Sequence, residues 1–554
     1  MATSKLTCAR WSTGITEGRF ACKDCLLVAY CGPNCQKWKP TWVQEGRTPA
    51  FVAGPAITTF GVNKYLWGNM PALVLLQLEK NEGKAYGEDI RLLFAASGDL
   101  RNVVKTIAEL PSEYKGSIEV IINDRDSDIV SRNIILLLIA LMMEGKDEAQ
   151  KIRPFVKDVW DLVKQGSPFG IFEKLETFGS CSVKVYLERE SWKRLLSAFE
   201  VPAGLTTKRA QEIHSSGMCN NARKDYRDRF LYKQSASHRL AYSKFWQDGL
   251  LLPFGSPCQE FCVPNPTFFQ NVPVWPMKDD SNPLNGWSPE EVAAMSVEPA
   301  ISDIYGKLFF HLRETLHKFI DRLRGSKVSF MLFQLDVEDL TDALEEDSFD
   351  RIEVSNICDL QYLNTHRTLL FMAPFLQLPV NNSHATLVIL FMNTVPMILE
   401  SEGRVSEMGP GSLEAKRLLK YMPLKRPPTS LADPDLFKLT EGMDIIVKYD
   451  RVFGRYMKDL DFKERGEFFG AEMKAKHTII SKWPYQLKLN STQPGAKEEF
   501  ERLLCSGLSS KERYVEWKRF PGGVIDQMGA KIEYMMMMES IRQAWIAEFE
   551  DFYD

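Results

Sequence analysis

The chain has 554 residues, too many for one compact core, so roughly two to four domains are expected. With 44% hydrophobic and 26% charged residues it reads as an ordinary globular protein, neither disordered nor fibrous. Its 69 basic residues against 73 acidic ones, and a pI near 6.1, leave no global positive field to collect phosphates, so nucleic acid is not expected as a partner.

The N-terminal MATSKLTCARW lacks the apolar core of a secretory signal. The most strongly apolar run, Ile134–Met143, falls well short of the roughly 20 residues that span a bilayer. No membrane association is therefore expected. The reading is a cytoplasmic protein, with the nucleus open as an alternative, whose cysteines are thiols or metal ligands rather than disulfides.

Five of the eleven cysteines, Cys8, Cys22, Cys25, Cys31 and Cys35, fall in the first 35 residues. Residues 1–48 form a short Gly- and Cys-rich unit, with Gln44–Pro49 as a linker. Four thiols at Cys22, Cys25, Cys31 and Cys35 lie within fourteen residues, a density suited to a tetrahedral Zn2+ site.

From Asp89 the pattern changes. Ile90–Ala95 is an apolar run of the kind that forms a buried strand, and Ala96-Ser97-Gly98-Asp99 turns it into a helix over Leu100–Leu110, stopped by Pro111. Ile118–Ile122 is a second strand, ending in Asn123-Asp124. A long apolar helix then runs from Asp126–Asp128 to Met143, with acids favourably placed at its start. Strand, glycine turn, helix, strand, acid and helix make a βαβ unit with a parallel sheet.

Residues 146–324 are expected to be a largely helical insertion, with a Pro- and aromatic-rich patch over Leu252–Trp287. Three later runs, Val328–Leu335, Arg351–Val354 and Ala385–Met392, read as further strands of the first sheet. Segments 60–145 and 325–420 then share one core, with the first strand between those ending at Asp124 and Ser355. Residues 423–554 are expected to be a helical C-terminal region, closing on a helix over Lys531–Phe552 whose Met535–Met538 run is a packing or interaction face.

The segment Cys22-Lys-Asp-Cys25-Leu-Leu-Val28-Ala-Tyr30-Cys31-Gly-Pro-Asn-Cys35-Gln36 resembles the MYND zinc finger, a docking module for protein partners. The resemblance implies that Cys8, Cys31 and Cys35 match ligands of a first zinc and that Cys22 and Cys25 match ligands of a second. Trp11, Trp42 and Gly46 stand where the other ligands would fall. One four-cysteine site, an incomplete pair of sites and a metal-free finger all remain open, and the single Zn2+ is the expectation.

The glycine after the first strand and the acid after the second resemble a dinucleotide-type crevice. Together with Asp336 and Ser355-Asn356 at later strand ends, they resemble the class I methyltransferase fold, which uses S-adenosylmethionine. The resemblance implies cofactor contacts at Gly98, Asp124, Asp336 and Asn356, with Ser355 and Asn356 beside the reacting methyl. The usual GxGxG is here Ala95-Ala96-Ser97-Gly98-Asp99, which crowds the loop and adds a charge, so cofactor binding is not expected.

A narrower likeness covers more of the chain. Trp67-Gly-Asn-Met-Pro-Ala72, Leu92–Asn102 and Asn123–Asp126 are similar to the N-terminal domain of dynein axonemal assembly factor 3, and to fungal proteins that join that domain to a MYND finger. The fold class read is thus α/β, Rossmann-like, with a finger, an insertion and a helical tail. The function expected is an adaptor that docks protein partners through the finger, its methyltransferase-like core inactive. The alternative is an active S-adenosylmethionine-dependent methyltransferase. A zinc hydrolase ranks last, because the seven histidines are dispersed and no HExxH pattern occurs.

Overall fold

The computed structural model describes residues 18–21, 29–32, 38–54, 60–142, 171–296, 301–401 and 411–521. The strands in chain order are β1 (Phe20–Ala21), β2 (Ala29–Tyr30), β3 (Ile90–Phe94), β4 (Ser117–Asn123), β5 (Ile171–Phe178), β6 (Cys181–Glu188), β7 (Lys327–Phe333), β8 (Arg351–Glu353), β9 (Thr386–Phe391), β10 (Ala471–Met473) and β11 (Arg513–Arg519). β1 and β2 form a short antiparallel hairpin, and the other nine make one mixed, mostly parallel sheet in the order β10-β11-β9-β8-β3-β4-β7-β6-β5.

The expected strand order holds: β3 pairs in parallel with β4 on one side and β8 on the other. Segments on both sides of the insertion therefore share one sheet. The reason lies in the side chains. All six residues of β9 are buried, and adjacent residues of the central strands feed opposite faces. Leu92 and Val120 pack below one face, Leu93 and Ile121 below the other, so both must be covered.

The insertion is not helix alone. β5 and β6 form a hairpin on the sheet edge, and β6 pairs in parallel with β7. In β6 the residues Cys181, Val183, Val185 and Leu187 are buried and alternate with Ser182, Lys184 and Tyr186, the period-2 pattern of a strand with one buried face. The insertion's last helix, Ile304–Gly325, lies against the helix Arg101–Ala108 and so helps cover the shared core.

The C-terminal region, expected to be helical, also supplies strands. β11 runs antiparallel to β9, and β10 pairs with β11. Charge hid this strand in the sequence. Glu516 is fully buried, with its carboxylate accepting the backbone amides of Thr478, Ile479 and Ile480 at 2.8–2.9 Å. A buried charge is tolerated when hydrogen bonds satisfy it in this way. Residues 522–554, including the expected helix over Lys531–Phe552, lie outside the described residues.

Gln44–Pro49, expected to be a linker, belongs to an anchored segment. The short helix Thr41–Glu45 buries Trp42, whose Nε1 donates to the Ala432 carbonyl at 2.9 Å. Arg47 makes two 2.6 Å bonds to Asp225 on the helix Lys224–Tyr232. Trp42 is 1% exposed and packs edge-on to Phe51, which makes it a core residue. Among the described residues no helix is long and apolar enough to cross a membrane.

Candidate functional site

In open parallel sheets, ligands bind beyond the carboxyl ends of the strands, where neighbouring connections diverge. Here that place lies past β3, β4, β7 and β8, and it holds the four residues singled out for a cofactor. The structure brings Gly98 and Asp124 into direct contact. Asp336 and Asn356 sit at their own strand ends, each bound to its own loop.

Gly98 adopts φ +57°, a left-handed conformation that favours glycine, and the place its Cβ would take is open. Its amide donates to Asp124 Oδ2 at 3.0 Å, while Asp124 Oδ1 accepts the Asp126 amide at 2.9 Å. Each oxygen of the acid expected to hold a ribose thus accepts one backbone amide. Burial pushes the Asp124 carboxyl up to about 6, against the lowering effect of those two amides. The Gly98 carbonyl is in turn capped by Asn133 Nδ2 at 2.7 Å.

Asp336 is exposed and caps the short helix Val337–Leu340, its Oδ1 accepting the Glu338 amide at 3.3 Å. Asn356 donates to Asp359 Oδ2 at 3.3 Å. Ser355 holds φ +52° and donates its amide to Glu353 Oε1 at 2.8 Å. Asp99 forms an ion pair with Arg101 and accepts the Gly68 amide at 2.7 Å.

Two residues at these strand ends escaped the sequence reading. Asn123, 1% exposed, donates to the carbonyls of Ala95 and Leu335 at 2.9 and 3.0 Å and accepts the Leu335 amide at 3.1 Å. One amide side chain thereby ties together the loops after β3, β4 and β7. Asp359 gathers the amides of Met392 and Asn393 and the Thr394 hydroxyl, fixing the loop after β9 to that after β8. The sequence signal for Asn123 was its place at the end of an apolar run, which also fits a turn residue.

A stretch of chain before β3 lies across these ends. Lys64 pairs with Asp126 and Asp128, Arg101 Nε donates to the Met70 carbonyl at 2.8 Å, and Asn69 Nδ2 reaches Met392 Sδ at 3.8 Å. A Cβ at Gly68 would lie 1.9 Å from the Arg101 guanidinium, so a larger residue there would have to displace that side chain.

Of the five candidate zinc ligands, Cys8, Cys22, Cys25 and Cys35 lie outside the described residues. Cys31 follows the β1–β2 hairpin and is half-buried. Four thiolates are the donor set a tetrahedral zinc prefers. Among the described residues no group of three His, Cys, Asp or Glu side chains could hold a metal ion.

Residues 66–162 match the model of a family described as a domain of unknown function (DUF4470), a match that begins within the crossing segment and runs through β3 and β4. No curated protein and no solved structure matches the chain.

Proposed function

We propose that the chain is an intracellular, zinc-binding adaptor: a MYND-type finger that docks protein partners, fixed to a methyltransferase-like core that does not turn over a cofactor. One observation carries the second half. The Asp124 carboxylate already accepts the amides of Gly98 and Asp126 and so ties two loops together, and a ribose would have to share it with the fold. The Asp336 and Asn356 side chains are engaged as well, one capping a helix and the other donating to Asp359. For the first half, the support is the cysteine spacing and the anchoring of Trp42 and Arg47, which attach the end of the finger segment to the body.

The alternative, an active methyltransferase, has its own support. With the β5–β6 hairpin of the insertion set aside, the parallel strands β3, β4, β7, β8 and β9, counted in chain order, lie in the doubly wound order 3-2-1-4-5, and space is open beside Gly98. Titration calorimetry of the full chain with S-adenosylmethionine separates the two. No heat of binding is expected up to about 1 mM ligand, a floor of roughly 4 kcal/mol. Low-micromolar binding abolished by Asp124→Ala would make the enzyme reading the leading one. Metal analysis tests the finger: about one zinc per chain, lost in Cys22→Ser and Cys31→Ser. A protein purified without zinc, and unable to take it up, would remove the finger from the proposal.

A further inference from the structure

Two clefts lie away from the strand ends. The smaller, about 410 Å³, is lined by Trp38 and Trp246, but Arg239 lies over the Trp38 ring and Trp246 packs on Phe230 and Tyr242, so its tryptophans are already engaged within the fold. The larger, about 530 Å³, lies in the seam between the insertion and the C-terminal region. Its walls come from the start of the helix Ala236–Asp248, from the turn at 284–287 with the short helix Pro289–Ala294, and from the helix Ala496–Cys505 with the loop after it. Two bonds cross the seam at this cleft: Gln234 Nε2 donates to the Cys505 carbonyl at 2.8 Å, and the Cys505 thiol donates to the Lys233 carbonyl at 3.1 Å.

The lining is mostly apolar and balanced in charge. Leu284, Trp287, Val292, Ile304, Leu504 and Leu508 supply the apolar surface. Among the charged lining residues, Lys233 pairs with Glu441 at 2.7 Å. The others are Lys438 and Arg502 against Glu498 and Glu501, two of each sign, so the cleft favours neither an anion nor a cation. His238 is the polar group that the fold leaves unused. Its backbone amide donates to Ser235 Oγ at 3.3 Å, while its ring nitrogens meet no hydrogen-bond partner among the described residues. Burial, helped by the Lys307 charge, pushes this imidazole down to about 4, so the ring is neutral at neutral pH. A neutral imidazole offers one N–H donor and one acceptor nitrogen.

We propose that this cleft binds a small, neutral, mostly apolar molecule carrying one hydrogen-bonding group, its body along the apolar wall and its polar group on His238. A cleft of about 300–1,000 Å³ between two regions, apolar with few polar groups, is the usual form of a small-molecule site. A charged ligand fits less well, because it would give up its own hydration over apolar surface and meet balanced charges in return. The site is separate from the finger and from the strand ends, so it goes beyond the adaptor reading and neither stands nor falls with it.

Fluorescence titration of the full chain tests the site with N-phenylnaphthylamine, which is neutral, carries one N–H and brightens on leaving water. A Kd on the order of 10 µM is expected. The same skeleton bearing a sulfonate, anilinonaphthalene sulfonate, should bind at least about tenfold more weakly. Ala293→Trp puts a ring into the cleft and should weaken the neutral probe at least about tenfold. His238→Phe keeps the bulk but removes the partner of the N–H, for a loss of about fivefold. Benzylnaphthalene lacks the N–H, and it should displace the probe with the same Kd from the parent and from His238→Phe. Thermal melts of the variants matching the parent show that lost binding is not lost folding. If Ala293→Trp melts lower, His238→Phe is read instead, with benzylnaphthalene correcting for any change of shape. Sulfonate binding as tight as the neutral probe, unchanged affinity in the variants, an equal His238→Phe loss for benzylnaphthalene, or no binding at about 100 µM probe each overturns the proposal.

Discussion

The strand ends and the Trp38–Trp246 groove both gather polar side chains, yet they use them in opposite ways. At the strand ends Asn123, Asp124 and Asp359 form hydrogen bonds with backbone amides or carbonyls of neighbouring loops, while Asp336 caps the helix that follows it. In the groove of about 410 Å³ that Trp38 and Trp246 line, Arg227 donates to the carbonyls of Asn220 and Cys219, and Arg239 lies 5.1 Å over the Trp38 ring. Residue type alone does not separate these cases. The first set serves the fold because its bonds are closed inside the protein. The second faces a space that a ligand can enter.

The largest test of this contrast is Asn123→Ala. It strips partners from two buried carbonyls and one amide, and each unpaired group costs about 1–3 kcal/mol. A stability loss of roughly 3–5 kcal/mol in urea unfolding is expected, with no new ligand affinity. A loss under about 1 kcal/mol would show that the strand ends are not tied together as described.

A smaller, pH-dependent effect is expected at Glu353, whose carbonyl accepts the Ala95 amide at 2.9 Å. Burial pushes its carboxyl up to about 7, against the Ser355 amide and the Arg101 charge, which favour the ionised form. The folded chain therefore holds this proton more tightly than the unfolded chain, where a glutamate titrates near about 4.3. Stability from this group is fully present below about pH 4 and is lost as pH rises through about 7. Glu353→Gln should flatten that slope, so the variant gains on the parent between these limits. Parallel curves for the two proteins would refute the burial argument.

The smallest expected change in stability belongs to the groove. Lys39→Gln alters an exposed side chain and should shift urea unfolding by less than about 0.5 kcal/mol, against the several kcal/mol expected at Asn123.

The central strands could be read from the chain because β3, β4 and β9 are nearly unbroken apolar runs, as strands buried on both faces must be. β6 is equally legible: its alternation of Cys181, Val183, Val185 and Leu187 with polar neighbours is a strand signature inside the segment expected to be largely helical. β11 was not readable, since Arg513, Glu516 and Lys518 look like a solvated face until the amides of 478–480 are seen around Glu516. The positions of Gly98, Asp124, Asp336 and Asn356 at strand ends were legible, but their partners were not. Hydrogen bonds such as that from Gly98 to Asp124 join residues 26 apart in the chain, and sequence spacing does not say which atom meets which.

The pairing of β9 with β11 has a consequence for how the protein is made. β9 is the six-residue apolar segment Thr386–Phe391, and its free edge is covered only when Arg513–Trp517 arrives. On a ribosome adding about 5–20 residues each second, the intervening roughly 120 residues take on the order of 10 s to appear. Throughout that interval a nascent chain presents an open, uncharged strand edge, the feature that templates wrong pairing. Chains cut short before residue 513 keep that edge for good. They should collect in inclusion bodies or on chaperones, whereas the full-length chain does not.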